Sequence, residues 1–516
     1  MNVYLIFATF SAVLGLFQLG YNASSMNQPH FVIEMFLNKT FEDRYSTELT
    51  TESVATHFSI AVTIFSVGGM IGALSAGRLG EKLGRRNALL YTQSFSIIGA
   101  LLQGLCKYVS SYEMLLLGRL LAGVSNGVFE GISTLYLVEI APTNVRGAVG
   151  TLNALGYTIG ILTGTILGLS NVLGGEETWP ILLALPLVPS ILQVLILPFM
   201  PETPRYLFIA KREFAQAEEA LIKLRNTENV DQDLMSLQME EQAYIDDTNY
   251  TIFELLLSST YHLPLFVGAF LHLSKSLTGY TAFRCYSTRF FSSVGLDDQI
   301  SEYLTIALSV AGVLATMVTI PLMDRAGRRT LQLTGLGGIV FSFMMITAGL
   351  NLNKSIDKIL VVLFSLTFVV FCKIGPGTIP WVATGELFIQ GPRAAANSVC
   401  IFLNWAGGMI VAIVFPQLMN YAFNFSLIPF IVLSLIFFVI QIVYFPETKN
   451  ISPRELDRLF QMPNAWKTAI GFVRLSVRRR RSRRKTTEKS SSKSQSHYGS
   501  ISESVKETNP WGTCSP

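Results

Sequence analysis

Apolar stretches of about twenty residues recur along the chain, separated by short polar turns. Each is long enough to cross roughly 30 Å of hydrocarbon as a helix. Twelve can be marked, at 3–21, 57–77, 88–107, 112–136, 147–169, 179–199, 262–286, 302–323, 331–350, 357–381, 395–418 and 425–445. They fall into two sets of six, which predicts an all-α integral membrane protein. The insert between the sets, "KREFAQAEEALIKLRNTENVDQDLMSLQMEEQ", has helical apolar spacing and neither Pro nor Gly. It predicts short amphipathic helices. Beyond the last stretch, "VRRRRSRRKTTEKSSSKSQSHYGSISES" is basic, then Ser-rich, and predicts disorder. The expected division is a six-helix bundle at 1–199, a linker at 200–261, a second bundle at 262–446 and a tail at 447–516. The opening run "MNVYLIFATFSAVLGLFQLGYN" lacks a basic leader and reads as the first membrane helix, not a cleaved signal.

Composition narrows the class. Half of the 516 residues are hydrophobic and only 14% are charged, against about a quarter charged in soluble domains. Of the five cysteines, Cys106, Cys285, Cys372 and Cys400 lie in or beside apolar segments, Cys514 lies in the tail, and no CxxC occurs. They read as small core residues, not as a disulfide framework or a zinc site. No phosphate-binding loop, metal-ligand cluster or GxSxG nucleophile motif stands out. Neither an enzyme nor a cofactor, a metal or a nucleic-acid partner is expected. The Gly-rich "GGMIGALSAG" of the second stretch reads as close helix packing.

The net charge of +4 matters less than its placement. Arg78, Lys82, Arg85 and Arg86 cluster after the second stretch, and Arg325, Arg328 and Arg329 after the eighth. "SNVLGGEETW", between the fifth and sixth, has no basic residue. The positive-inside rule then puts both termini and the insert in the cytoplasm. The Arg cluster of the tail has two readings. It can contact anionic lipid, with serine phosphorylation weakening the contact, or it simply sets topology. The sequons at Asn38, Asn353 and Asn424 fall outside, and Asn249 falls inside. Asn424 abuts a span, so Asn38, in the longest outer loop, is the expected glycan site.

The two halves repeat one grammar. "EKLGRR" holds Glu81, Arg85 and Arg86, and "DRAGRR" holds Asp324, Arg325, Arg328 and Arg329. Glu139 precedes Arg146 by seven residues, and Glu386 precedes Arg393 by the same seven. "PETPRYL" supplies Glu202 and Arg205, and "PETKN" supplies Glu447. Acids at helix ends that meet arginines of neighbouring turns are expected to clamp the two halves together on the cytoplasmic side and to release them when that side opens. At a wet interface each pair contributes about 0–1 kcal/mol, weak enough to break.

"GRLGEKLGRR", "GRLLAG", "PETPRYL", "DRAGRRTL", "GPGTIPWVATGELFIQGPRAAA" and "FPETKN" together closely resemble the sugar-porter branch of the major facilitator superfamily, and within it the animal facilitative glucose transporters. The resemblance covers about residues 5–460. It implies the major facilitator fold, twelve helices in two pseudo-symmetric bundles, with alternating access around a midplane site. It also implies the plasma membrane, which the Asn38 sequon fits. Proton-coupled sugar porters carry an acid in a "GYD" context of the first helix. Here the triplet is Gly20-Tyr21-Asn22, as in uniporters, which implies downhill transport.

The substrate positions depart from the family. Its "QQLSG" in the seventh span, followed by Asn, is matched here by Lys275 and Ser276 of "KSLTG" and by Thr281. A Gln becomes Ala154, two Asn become Gly312 and Gly408, and the Glu before "GPG" becomes Lys373. Trp381 and Asn404, beside Trp405, remain, and Glu130 is a new acid. A hexose site has lost most of its amides, which both donate and accept hydrogen bonds. An ionisable residue in a membrane span is costly and marks function. Three roles fit: a Glu130–Lys373 pair gating the two halves, an organic anion such as urate drawn by Lys275 and Lys373, or lysines that snorkel to the headgroups. Arg284 is expected to snorkel, and His272 to be a packed core residue. The function candidates are therefore a hexose uniporter, an organic-anion carrier and a non-transporting sensor.

Overall fold

The computed structural model describes residues 3–46, 50–142, 146–245, 250–352, 357–449, 451 and 453–461, and all regular structure among them is helical. The first six crossings begin with α1 (Val3–Ser24). After α2 (His30–Tyr45) come α3 (Thr51–Leu83), α4 (Arg85–Leu105), α5 (Tyr112–Ile140), α6 (Arg146–Leu167) and the pair α7 (Trp179–Ala184) and α8 (Leu187–Ile196). The linker forms α9 (Phe214–Arg225), α10 (Asp231–Ile245) and α11 (Ile252–Leu257). The second six are α12 (His262–Leu277) with α13 (Tyr280–Ser293), α14 (Asp298–Ala326), α15 (Arg328–Asn351), α16 (Asp357–Ile374) with α17 (Ile379–Leu387), α18 (Gln390–Ala422) and α19 (Ile428–Tyr444). A short α20 (Pro453–Gln461) follows. Among the described residues nine helical segments are by themselves long and apolar enough to cross a membrane. Shorter apolar helices within α6 and at α19, and the α12–α13 pair, account for the other three crossings. The Asn249 and Asn353 sequons and the Arg cluster of the tail lie outside the described residues.

Three crossings that read as continuous in the sequence are broken. The sixth bends between α7 and α8 at Leu185-Pro186. The tenth stops at Ile374 and restarts at Ile379, across "GPGT". The seventh breaks at Gly279, whose φ of +88° is a conformation that a side chain disfavours. A Cβ there would stand 2.8 Å from Phe343 Cζ, so backbone and packing both require glycine. The first outer loop is also not a loop: Asn38 sits on α2, half-buried.

Buried amides tie each bundle internally. Gln193 Oε1 on α8 accepts from Gln18 of α1 (2.8 Å) and from Gln93 of α4 (2.7 Å), while Ser96 and Ser190 donate to Gln18. The second bundle repeats the device: Gln332 of α15 donates to Gln441 of α19 (2.9 Å) and to Ser274 of α12 (3.2 Å). In hydrocarbon an unpaired amide has no water to turn to, so these networks fix helix register as well as contact.

The repeated turns serve as helix starts. Glu202 Oε1 accepts the backbone N–H groups of Arg85 (3.0 Å) and Arg86 (3.1 Å) at the head of α4, and Glu447 Oε1 accepts that of Arg328 (2.8 Å) at the head of α15. A carboxylate there satisfies orphan donors and meets the positive end of the helix dipole. The carboxylates reach in because Gly84 and Gly327 precede each helix with φ of +87° and +96°. A Cβ on Gly84 would fall 2.3 Å from Glu202 Oε2, and one on Gly327 2.4 Å from Glu447 Oε2. Gly84→Ala and Gly327→Ala are therefore expected to lower thermal stability in detergent by roughly 1–3 kcal/mol each. Gly80→Ala, whose Cβ would meet nothing closer than 3.9 Å, is the control and is expected to be neutral or stabilising.

Candidate functional site

The helix breaks place the unusual charges. Lys275 lies in the last turn of α12 and Lys373 in the last turn of α16. Both ammonium groups thus stand near the carbonyl end of a half-helix, where the dipole favours a cation by about 0.3–2 kcal/mol. Across the break, α13 begins with Tyr280, Thr281 and, one turn on, Arg284.

These elements meet α5, α6 and α18 in a pocket between the bundles, lined among others by Glu130, Tyr157, Lys275, Ser276, Tyr280, Thr281, Arg284, Asn404 and Trp405. Its lining leaves room for little more than a water or two. Glu130 Oε1 stands 3.6 Å from Lys275 Nζ, and the two side chains are 1% and 7% exposed. Asn404 Nδ2 donates to the same carboxylate oxygen at 3.4 Å. Lys275 Nζ lies 4.1 Å from the centre of the Trp381 ring, a cation–π contact strengthened by the absence of water. His272, one turn earlier, donates through Nε2 to Thr384 Oγ1 at 3.0 Å, since that hydroxyl gives its own proton to Pro380 O. It is a packed histidine.

The acid of the pocket pairs with Lys275, not with Lys373 as one reading of the sequence had it. Lys373 Nζ instead lies over the faces of Tyr280 (4.6 Å) and Tyr157 (5.1 Å). Neither lysine snorkels, being 6% and 4% exposed. Nor does Arg284: the chain turns at Gly279, and its Nη1 donates to Tyr157 Oη at 2.9 Å inside the pocket. Ser276 bonds weakly back to its own helix at Leu273 O (3.4 Å), and Thr281 faces Gly408. Gly312, at the lost Asn position, lies beside Lys373: a Cβ there would make ordinary contact with Lys373 Cε at 3.6 Å.

A second compartment adjoins the first and shares Tyr280 and Arg284 with it. Thr158, Thr165, Ser287, Ser309, Gly312 and Lys373 also line it. Sequence reading missed Tyr157 and Tyr280, which form the wall. The signal was indirect, because a cation held in a membrane interior without an acid calls for aromatic faces. It also passed over Arg119 of "GRLLAG", which is 2% exposed, 4.3 Å over Phe65 and bonded to Asn22 O at 2.9 Å.

Away from the Lys/Arg-rich turns the halves close on each other. Asn27 donates to Ser287 (2.8 Å), Thr288 donates to Gln28 (2.7 Å), and Arg289 pairs with Glu34 (2.9 Å). Burial holds the Glu34 carboxyl above the usual carboxylate range, with Arg289 pulling the other way. At the basic face the ion pairs around Glu139 and Glu386 close within each half, where pairs between halves were expected. Arg85 (2.9 Å) and Arg205 (3.3 Å) share Glu139, and Arg328 pairs with Glu386 (3.0 Å) and Asp324 (3.4 Å). Arg86 donates to Met200 O and Arg329 to Ile442 O, while Glu81 and Arg325 are exposed. Arg393 of the second half lies within electrostatic reach of Glu139 and of Glu240 on α10. The side chain of Arg146 lies outside the described residues.

The family model described as "Sugar (and other) transporter" matches residues 8–460. The sheep (Ovis aries) solute carrier family 2, facilitated glucose transporter member 3, is 41% identical over 459 residues, covering 89% of this chain and 92% of that one. Its human (Homo sapiens) counterpart is 39% identical with the same coverage. Among solved structures, the xylose transporter XylE from E. coli in a partially occluded inward-open conformation aligns with a TM-score of 0.73 at 20% identity, over 87% of this chain and 99% of that one. The proton:xylose symporter XylE bound to 6-bromo-6-deoxy-D-glucose aligns at 0.74 and 19%, over 89% and 99%.

The ion pair can be tested apart from function. Glu130→Gln leaves Lys275 buried without its acid and is expected to cost about 3–5 kcal/mol. Lys275→Gln on that background is expected to restore about 1–3 kcal/mol of the loss, read in a thermal-unfolding double-mutant cycle.

Proposed function

Because the chain belongs to the sugar (and other) transporter family, we propose that it carries a hexose down its concentration gradient by alternating access. The observation that carries this reading is a polar pocket whose walls come from both bundles, with Glu130 of α5 facing Lys275 of α12 and Asn404 of α18. Relative movement of the bundles must make and break that contact, which is what a rocking carrier requires. In this reading residues 1–199 and 262–446 are the two moving bodies, 200–261 tethers them, and the chain from 447 onward is a tail. Trp381 and Asn404 are the sugar contacts that remain, and Ser276 and Thr281 stand in for lost amides. The closed end at Arg289–Glu34 is the outer gate. The pairs around Glu139 and Glu386 keep each half rigid at the inner face, and Arg393 and Glu139 approach each other across it.

On this reading the protein lies in the plasma membrane with both termini in the cytoplasm, supported by the basic turns at one face and the Asn38 sequon at the other. Asn38→Gln is expected to abolish a glycosidase-sensitive shift on denaturing gels. Absence of any glycosidase-sensitive shift in the wild-type protein, or a shift lost only in Asn249→Gln, removes this support for the orientation.

Transport itself is checked in cells devoid of hexose transport, after surface expression is confirmed. Labelled 2-deoxyglucose uptake is expected to saturate and to be indifferent to collapse of the proton gradient, since Asn22 offers no titratable proton. Uptake that needs the gradient overturns the uniport reading. No hexose uptake at all, with the protein at the surface, overturns the hexose reading.

A further inference from the structure

Three cations, Lys275, Lys373 and Arg284, gather around the two adjoining compartments, and Glu130 is their single acid among the lining residues. Glu130 answers Lys275. The other two are left over. Lys373 is 4% exposed, and its ammonium meets the faces of Tyr280 and Tyr157. Among the described residues no carboxylate pairs with it, and none pairs with Arg284, whose Nε also lacks an acceptor. Dipole and aromatic contacts lower the cost of these charges but do not cancel it: burying an ion still costs several kcal/mol when no counter-charge is present. Both groups line the second compartment, together with the hydroxyls of Thr158, Thr165, Ser287 and Ser309. These four hydroxyls give their protons to Ala154 O, Ile161 O, Thr305 Oγ1 and Thr305 O, so it is the two buried cations without a carboxylate that suit the compartment to a small anion.

We propose that Lys373 and Arg284 form an anion-binding subsite beside the sugar pocket, filled by the carboxylate of an acidic sugar or by a free halide. The inference rests on the carrier reading and narrows its substrate. The two compartments share Tyr280 and Arg284, so once the pocket opens one ligand can place a ring against Asn404 and Trp405 and its carboxylate against Lys373. A halide would fill the same subsite while a neutral hexose fills the first.

Full-length protein in proteoliposomes separates the sources. Labelled glucuronate uptake reads the carboxylate, and 2-deoxyglucose uptake in chloride against sulfate reads the halide. Saturable glucuronate uptake, or hexose uptake about fivefold faster in chloride, supports the subsite. Lys373→Gln is expected to reduce that response about tenfold, the loss of one charge-assisted hydrogen bond, and Lys373→Arg to retain it. Size-exclusion profiles of both variants exclude misfolding. A chloride or glucuronate thermal shift on solubilised protein, lost in Lys373→Gln, gives a readout independent of transport. Hexose uptake indifferent to chloride, with no glucuronate uptake and no thermal shift, overturns the subsite and leaves the hexose carrier standing. Glucuronate uptake without hexose uptake overturns the hexose reading and supports the subsite.

Discussion

An ammonium group buried between two helical bundles, away from water and lipid headgroups alike, must be answered by something within the protein. Much of this site follows from that demand. Lys275 is answered by a carboxylate from the opposite bundle, an indole face and the carbonyl end of its own half-helix. Lys373 is answered by two tyrosine faces and another half-helix end. Gly312 lies beside its stem. Substitutions that look like separate losses of sugar contacts are, in three dimensions, one rearranged electrostatic arrangement.

The broken helices make that arrangement affordable to the fold. A continuous helix at the seventh crossing would bond Lys275's last-turn carbonyls to the next turn and hide the dipole. The break at Gly279 exposes that end and turns α13 so that Tyr280, Thr281 and Arg284 enter the same space. Non-helical backbone is tolerated at membrane depth where it lines a cavity instead of facing lipid. The "GPGT" turn does the same service for Lys373 and positions Trp381 at the start of α17.

Each bundle is also tied up within itself. Glutamine networks join α1, α4 and α8 in one half and α12, α15 and α19 in the other. Carboxylate caps at Glu202 and Glu447 anchor α4 and α15, and the arginine clusters find their acids in their own half. Among the described residues, hydrogen bonds and ion pairs between halves gather at the pocket and at the end closed by Glu34 and Arg289, and Arg393 reaches toward Glu139 at the basic face. Two rigid bodies joined chiefly there can rock about the site, and one charge pair stands where the motion must pass.

The hydropathy pattern alone determined twelve crossings in two sixes and a helical linker, because a membrane admits only helices or barrels and a twenty-residue apolar run has one way to cross. The repeated motifs determined the family, and the amide-to-lysine changes marked where the site departs from it. Which acid meets which base was not legible. Sequence separation says nothing of which second-half base Glu130 meets, and only the tertiary structure, which brings it to Lys275, chose Lys275 over Lys373. Arg284 misled for a related reason: its direction depends on the helix break at Gly279, a single φ that helical periodicity does not carry. The acid–arginine repeats were read as links between halves because spacing along a chain records that two charges recur, not what lies across from them. That is a property of three-dimensional distance, and the tertiary structure decided it.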